Sequence, residues 1–152
     1  MTKKRKTAII LSWLFVAVCM GIIFYFSRER ASDSSETSNS LIALIERLFN
    51  YRLTPHTIRK TAHALEFFGL TLAFNLAYGA TYQKFSPLLS ALSSVFYSAT
   101  DEIHQYYVEG RACRAYDLLV DFCGTLIMTA ILVIAYLIFK KIMEKRGKQC
   151  PF

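Results

Sequence analysis

Residues 58–79, IRKTAHALEFFGLTLAFNLAYG, are apolar along most of their length yet hold His63 and Glu66. A helix rises about 1.5 Å per residue, so a run of this length crosses the roughly 30 Å of bilayer hydrocarbon. A charge at the centre of such a span costs roughly 2.5–3.5 kcal/mol even on the mildest scale, so ionisable groups there are paired, face the bundle interior and mark a site. The same conflict recurs twice. Residues 87–107 are apolar but contain Asp101, Glu102 and His104, and residues 116–139 contain Asp117 and Asp121. A fourth apolar run, 7–27, carries no charge at all.

The whole composition agrees with a membrane reading. Of 152 residues, 54% are hydrophobic, and the mean hydropathy is +0.32. The second and third runs could alternatively be core helices of a soluble protein, but the first and fourth would still anchor the chain. The first run has the basic start of a signal peptide, Lys3-Lys4-Arg5-Lys6, but its apolar core is too long and it meets Arg28-Glu29-Arg30 instead of a small-residue cleavage site. It reads as a retained anchor.

Charge sets orientation. The segment before the first run, the turn between the second and third, and the C-terminal tail together hold ten of the eighteen basic residues and one of the eleven acids, a sum of +9. The remainder, with eight basic and ten acidic residues, sums to −2. The positive-inside rule then places both termini in the cytoplasm with four spans between them. The +7 net charge is a topological signal, and no basic stripe with interleaved aromatics points to nucleic acid. The resulting division is a basic cytoplasmic N-terminus (1–6), a transmembrane domain (7–139) and a basic cytoplasmic tail (140–152).

The connections fit this arrangement. Residues 32–40 are a polar linker with little to bury. Leu41, Leu44, Ile45 and Leu48 then recur at helical spacing, which predicts a short amphipathic helix in the first outer loop. Thr54-Pro55 and Ser86-Pro87 are helix starts, with a capping hydroxyl followed by proline at the first helical position. The short 80–85 segment makes the second and third runs an antiparallel hairpin. Trp13, Phe15, Phe24, Tyr25 and Phe26 read as a lipid-facing or interfacial aromatic belt. Of the four cysteines only Cys113 falls outside on this topology, so no outer disulfide within the chain is expected.

Depth brings the ionisable residues together. Glu66 is seven residues inward from Arg59, and Asp121 seven inward from Arg114, each about 10 Å along its helix. Asp101 is six inward from Tyr107. His63 and Glu66 are spaced i, i+3, as are Asp101 and His104, while Asp117 and Asp121 are i, i+4. Each pair shares one side of its helix. Glu102 points about 100° from Asp101, and Gln105 stands at i+4 from Asp101 and i+3 from Glu102.

Three chemistries compete for such a set. Crowded carboxylates in a low-dielectric site cannot all stay ionised, and histidine titrates near neutrality, so one group could accept a proton while another donates one. His, Asp and Glu pairs from facing helices also resemble metal ligand sets, but nothing here is as specific as HExxH and no metal ligand is assigned. The third reading is structural: Arg59, Lys60, Arg111 and Arg114 neutralise the acids in a network that fixes helix register.

The segments Arg59–Gly69, Ala99–Gln105, Gly110-Arg111 and Asp117–Gly124 resemble the VanZ-like membrane proteins, over about residues 10–140. The [S/T]-D-E-x-H-Q block, then G-R, then D-x-x-x-D-x-x-G, is similar to the branch that carries the histidines. The resemblance implies a bacterial cytoplasmic-membrane protein of four or five helices. The best-known member of the family confers low-level resistance to teicoplanin-type lipoglycopeptides. An acyltransferase-like label exists in the family, but nothing in this sequence resembles a coenzyme A pocket. By similarity the site positions are Lys60, His63, Glu66, Asp101, Glu102, His104, Gln105, Arg111, Asp117, Asp121 and Gly124.

The expectation is therefore an all-α integral membrane four-helix bundle with an outward-opening polar pocket. Its partners would be membrane lipids and an amphiphile such as a lipid-linked envelope precursor or a lipoglycopeptide. Glu66, Asp101, Glu102, His63 and His104 are the candidates for proton transfer. Lys60, Gln105, Arg111, Asp117 and Asp121 are the candidates for substrate binding. The alternatives are a structural partner of envelope enzymes and a small transporter or proton relay. The near absence of ionisable groups from the inner halves of the spans, where Asn75 is the strongly polar exception, argues against a through-path.

Overall fold

The computed structural model describes residues 1–28, 39, 42–43, 46–47, 54–108 and 115–146. Among these residues there are four α-helices and no strand: α1 (Lys3–Ser27), α2 (Pro55–Tyr82), α3 (Pro87–Tyr106) and α4 (Ala115–Lys145). Residues 42–43 and 46–47, within the predicted amphipathic helix, are helical, whereas Leu41, Leu44, Ile45 and Leu48 lie outside the described residues.

Local chemistry sets the helix ends. Thr54 caps α2, its hydroxyl accepting the Thr57 amide at 3.2 Å, and Pro55 follows at the first turn. The end of α2 lies three residues beyond the apolar run. There Gln83 adopts a left-handed backbone (φ 54°), and its amide still reaches the Gly79 carbonyl. Ser86 occupies the cap position of α3 but makes no side-chain cap bond; its hydroxyl donates to the Lys84 carbonyl at 3.3 Å. Pro87, which has no N–H to satisfy, opens that helix.

The helices meet through two unlike interfaces. Between α1 and α2 the core is apolar: Val16 and Ile23 pack on Phe67, Leu70, Ala73, Phe74 and Ala77. Trp13 and Phe24 keep exposed faces, as do Phe15, Tyr25 and Phe26, and they also pack against the bundle. Trp13 meets Phe74 and Tyr78 edge-on and donates its indole N–H to Thr81 at 3.1 Å. Phe24 stacks on His104 with ring centroids 4.5 Å apart.

Between α2 and α3 the contact is polar. Thr71 donates to the Ser94 hydroxyl at 2.9 Å, the Asn75 amide reaches Ser90 at 3.4 Å, and the Tyr78 and Ser93 hydroxyls lie 2.8 Å apart. The buried face of α3 is Ser90, Ser94, Ser98, Asp101, Glu102 and Gln105, whereas Leu88, Leu92, Phe96 and Ile103 are exposed. This is the reverse of a helix on the surface of a water-soluble domain, which buries its apolar stripe.

Two helices, α1 and α4, are long and apolar enough to cross a membrane, and both are mostly exposed. Ile127, Ile131, Ile134, Leu137 and Ile138 form an uncovered apolar surface along α4. Exposed apolar area on this scale marks contact with lipid or protein.

Candidate functional site

The closest approach of α2 and α4 is a backbone contact. A Cβ on Gly124 would collide with the carbonyl oxygen of Ala64. Only a residue without a side chain allows helices this near. Ala64 neighbours His63, and Gly124 lies one turn from Asp121. The small-residue crossing therefore sets the separation of these two side chains: His63 Nδ1 stands 3.5 Å from an Asp121 carboxylate oxygen.

The polar cluster builds out from that pair. Asp121 has no solvent exposure, and its other oxygen accepts the Ser98 hydroxyl of α3 at 2.6 Å. His63 Nδ1 also lies 3.9 Å from Glu66, one turn further along α2. Asp101 of α3 is within electrostatic range of both His63 and Asp121, and it takes a hydrogen bond from the Gln105 amide at 2.8 Å. Three helices thus contribute ionisable groups to a single locality, two from α2 and one each from α3 and α4, and α1 closes it from the side with the buried Ser27 near Asp101.

The remaining candidates lie around this centre. Lys60 of α2 and Asp117 of α4 form an ion pair one turn nearer the helix ends, and the Lys60 ammonium also sits over the Tyr116 ring at 5.1 Å. Glu102 is buried, with 3% of its surface exposed. His104 is turned to α1, where Phe24 covers its ring. Arg111 is outside the described residues. Among the described residues, no group of three or more His, Cys, Asp and Glu is arranged to hold a metal ion.

Burial grades the cluster from one side to the other. The carboxylates and amide of α3, with Asp121, are nearly sealed, whereas the side chains of Lys60, His63, Glu66 and Asp117 keep 13–20% exposure. The α2–α4 edge is thus the more accessible side of the cluster, and the partly exposed His63 lies between it and the sealed Asp121. The 3.5 Å separation, with no other hydrogen bond to either atom, leaves this pair room to shorten when a ligand or proton arrives.

These residues fall within residues 12–139, which match the family model described as VanZ/LLP1. The chain belongs to the VanZ/LLP1 family. No curated protein and no solved structure matches it. Membership spans all four helices of this VanZ-like chain, and with the apolar surfaces of α1 and α4 it makes the chain a membrane protein.

Sequence reasoning missed three parts of the site. Ser98 is a lone hydroxyl in a serine-rich helix, and nothing local distinguishes it. Its signal is register: Ser90, Ser94, Ser98, Asp101 and Gln105 form one helical stripe. Ser27 and Phe24 come from the span with no charge, which the search for ionisable groups passed over.

Proposed function

We propose that this VanZ-like protein is a four-span bundle of the bacterial cytoplasmic membrane with both termini inside. Its polar cluster faces the outer leaflet and binds or acts on an amphiphilic envelope molecule. The four-span reading is supported by the inverted α3: a polar stripe turned inward and Leu88, Leu92, Phe96 and Ile103 turned outward suit a helix surrounded by lipid. Orientation rests on the charge asymmetry of the loops and tail.

The observation that carries the site is the convergence of His63, Asp101 and Asp121 from three helices. Two acids and an imidazole in one sealed locality have no simple structural necessity, because an apolar core would avoid the desolvation they incur. If the protein turns over a substrate, His63 exchanges a proton with the incoming molecule, and Asp121 holds the imidazole. Glu66, Asp101 and Glu102 are the further acid–base candidates, with His104 a second proton carrier. If it only binds, Lys60, Asp117, Gln105 and Arg111 hold the head group. Arginine suits phosphate or carboxylate because its fork donates two hydrogen bonds. The amphiphile is a lipid-linked envelope precursor, an envelope lipid or the tail of a lipoglycopeptide. In the last case the protein contributes to low-level teicoplanin-type resistance.

The test uses Asp121→Asn and Glu102→Gln, each with membrane expression verified, scored for lipoglycopeptide susceptibility in a strain where the wild-type gene alters it. Loss of the effect is expected. Full retention in both variants removes the functional reading of the cluster.

A further inference from the structure

A second site lies at the other end of the bundle. A cavity of about 320 Å³ is lined by Asn75, Leu76, Gly79, Ala80, Lys84 and Phe85. Asn75 stands roughly 18 Å along α2 from His63 at about 1.5 Å per residue, so this space is separate from the polar cluster.

The chain makes the cavity by ending α2 abruptly. The left-handed Gln83 turns the backbone, and Phe85 folds back onto Tyr136 of α4 with ring centroids 4.4 Å apart. That stack forms a wall. Gly79 leaves a gap in the helix surface: a Cβ there would meet nothing within 4 Å. Leu76 and Ala80 complete an apolar trough. Asn75 sits at the deep end, its amide turned to Ser90.

Lys84, which is exposed, is the one cation among the lining residues, and the lining holds no acid. Arg5 of α1 donates to the Thr81 carbonyl at 2.9 Å, one residue beyond Ala80 of the lining, which fixes the basic start of α1 against the end of α2. Basic pockets between membrane helices on the cytoplasmic side suit anionic lipid head groups.

We propose that this cavity binds one acyl chain of an anionic phospholipid from the inner leaflet, with the lipid phosphate at Lys84. The placement rests on the four-span reading, but the site shares no residue with the outer cluster, so either can fail without the other. Charge complementarity selects the anionic class: a zwitterionic lipid fills the same trough, but its own choline cation offsets the pull of Lys84 on its phosphate.

The experiment measures lipid retention by the full-length protein in detergent, using native mass spectrometry. Delipidated protein is titrated with phosphatidylglycerol or phosphatidylcholine. Wild type is expected to hold one phosphatidylglycerol with about tenfold preference. Gly79→Phe, at a position where an added Cβ meets nothing within 4 Å, should fill the trough and abolish retention of both lipids while helicity by circular dichroism is unchanged. Lys84→Gln, an exposed change that leaves the fold alone, should remove the preference and keep basal occupancy. Asp121→Asn should bind as wild type does. Equal retention of the two lipids by wild type overturns the proposal. So does undiminished binding by Lys84→Gln, displacement of the lipid by inorganic phosphate, or a wild-type dimer that Gly79→Phe dissolves, which would assign the face to a second copy.

Discussion

Ala64 of α2 and Gly124 of α4 meet backbone to backbone, with His63 beside one and Asp121 one turn from the other. A methyl group at residue 124 has nowhere to go without moving a helix axis. Gly124→Ala is therefore expected to cost about 1–3 kcal/mol, the usual range for overpacking. Function should be lost more completely than stability, because the displaced helices no longer present His63 to Asp121. The control is Gly69→Ala, where the added Cβ meets nothing within 4 Å. It should be neutral, or stabilising by up to about 1 kcal/mol through helix propensity. Thermal unfolding followed by the single tryptophan, Trp13, reads both. Equal behaviour of the two alanines would show that the close crossing is not what holds the site.

Ser98 gives Asp121 its shortest hydrogen bond, at 2.6 Å and out of solvent. A bond to a charged acceptor contributes about 1.5–3 kcal/mol, and a buried acceptor left without its donor is penalised further. Ser98→Ala should lower stability by about that amount. Ser94→Ala, which removes a hydroxyl that accepts from the neutral Thr71 hydroxyl, should cost less, about 0.5–1.5 kcal/mol. A larger loss at residue 94 than at residue 98 would contradict the central place given to Asp121.

The four helices are legible in the sequence because each is long and punctuated by chemistry that acts locally: threonine or serine then proline at two starts, apolar runs between. The meeting of His63 with Asp121 is less so. Depth counting puts Glu66, Asp101 and Asp121 near one level, with His63 one turn nearer the helix end, but it does not say which faces touch. That depends on how closely α2 approaches α4, and the closeness is a property of Gly124 opposite Ala64, residues far apart in sequence. The buried serines of α3 were invisible for a related reason. Serine is ordinary on a water-facing surface, and only when the apolar face of α3 is seen turned outward does its polar stripe become the interior. His104 shows the limit of spacing arguments: it shares a side of α3 with Asp101 by register, yet its ring is taken by Phe24 from α1.

The coupling between His63 and Asp121 is measurable apart from the worth of either residue. A double-mutant cycle of His63→Gln, Asp121→Asn and the pair, read by thermal unfolding, should return an interaction energy of about 0.5–3 kcal/mol, the range for residues in one network. Each single change leaves a buried polar group facing a poorer partner, so the double variant should be less damaged than the sum of the singles. Strict additivity would mean that the 3.5 Å contact carries no energy.

Lys60 and Asp117 tie α2 to α4 at the more exposed edge of the polar cluster. Removing one partner leaves a partly buried charge alone, while exchanging the two keeps the pair. Lys60→Asp and Asp117→Lys should each reduce the yield of folded protein in membranes, and the double exchange should restore it. Restoration of folding without restoration of function would assign Lys60 a contact with the ligand as well as with Asp117. Failure to restore folding would show that neighbours such as the Tyr116 ring, 5.1 Å from the Lys60 ammonium, fix the order of the two charges.

Sidedness decides whether the cluster can meet an envelope molecule at all. On the proposed topology the basic residues before α1, at Lys84 and after α4 lie inside, and the far ends of α2, α3 and α4 lie outside. A cysteine introduced as Gly110→Cys in a chain whose four native cysteines are replaced by alanine or serine should react with a membrane-impermeant maleimide on intact cells. One introduced as Lys84→Cys should react only after permeabilisation. The reversed pattern would put His63 and Asp121 near the cytoplasm, where a lipoglycopeptide does not reach, and would leave only an inner-leaflet lipid or a cytoplasmic metabolite as the amphiphile.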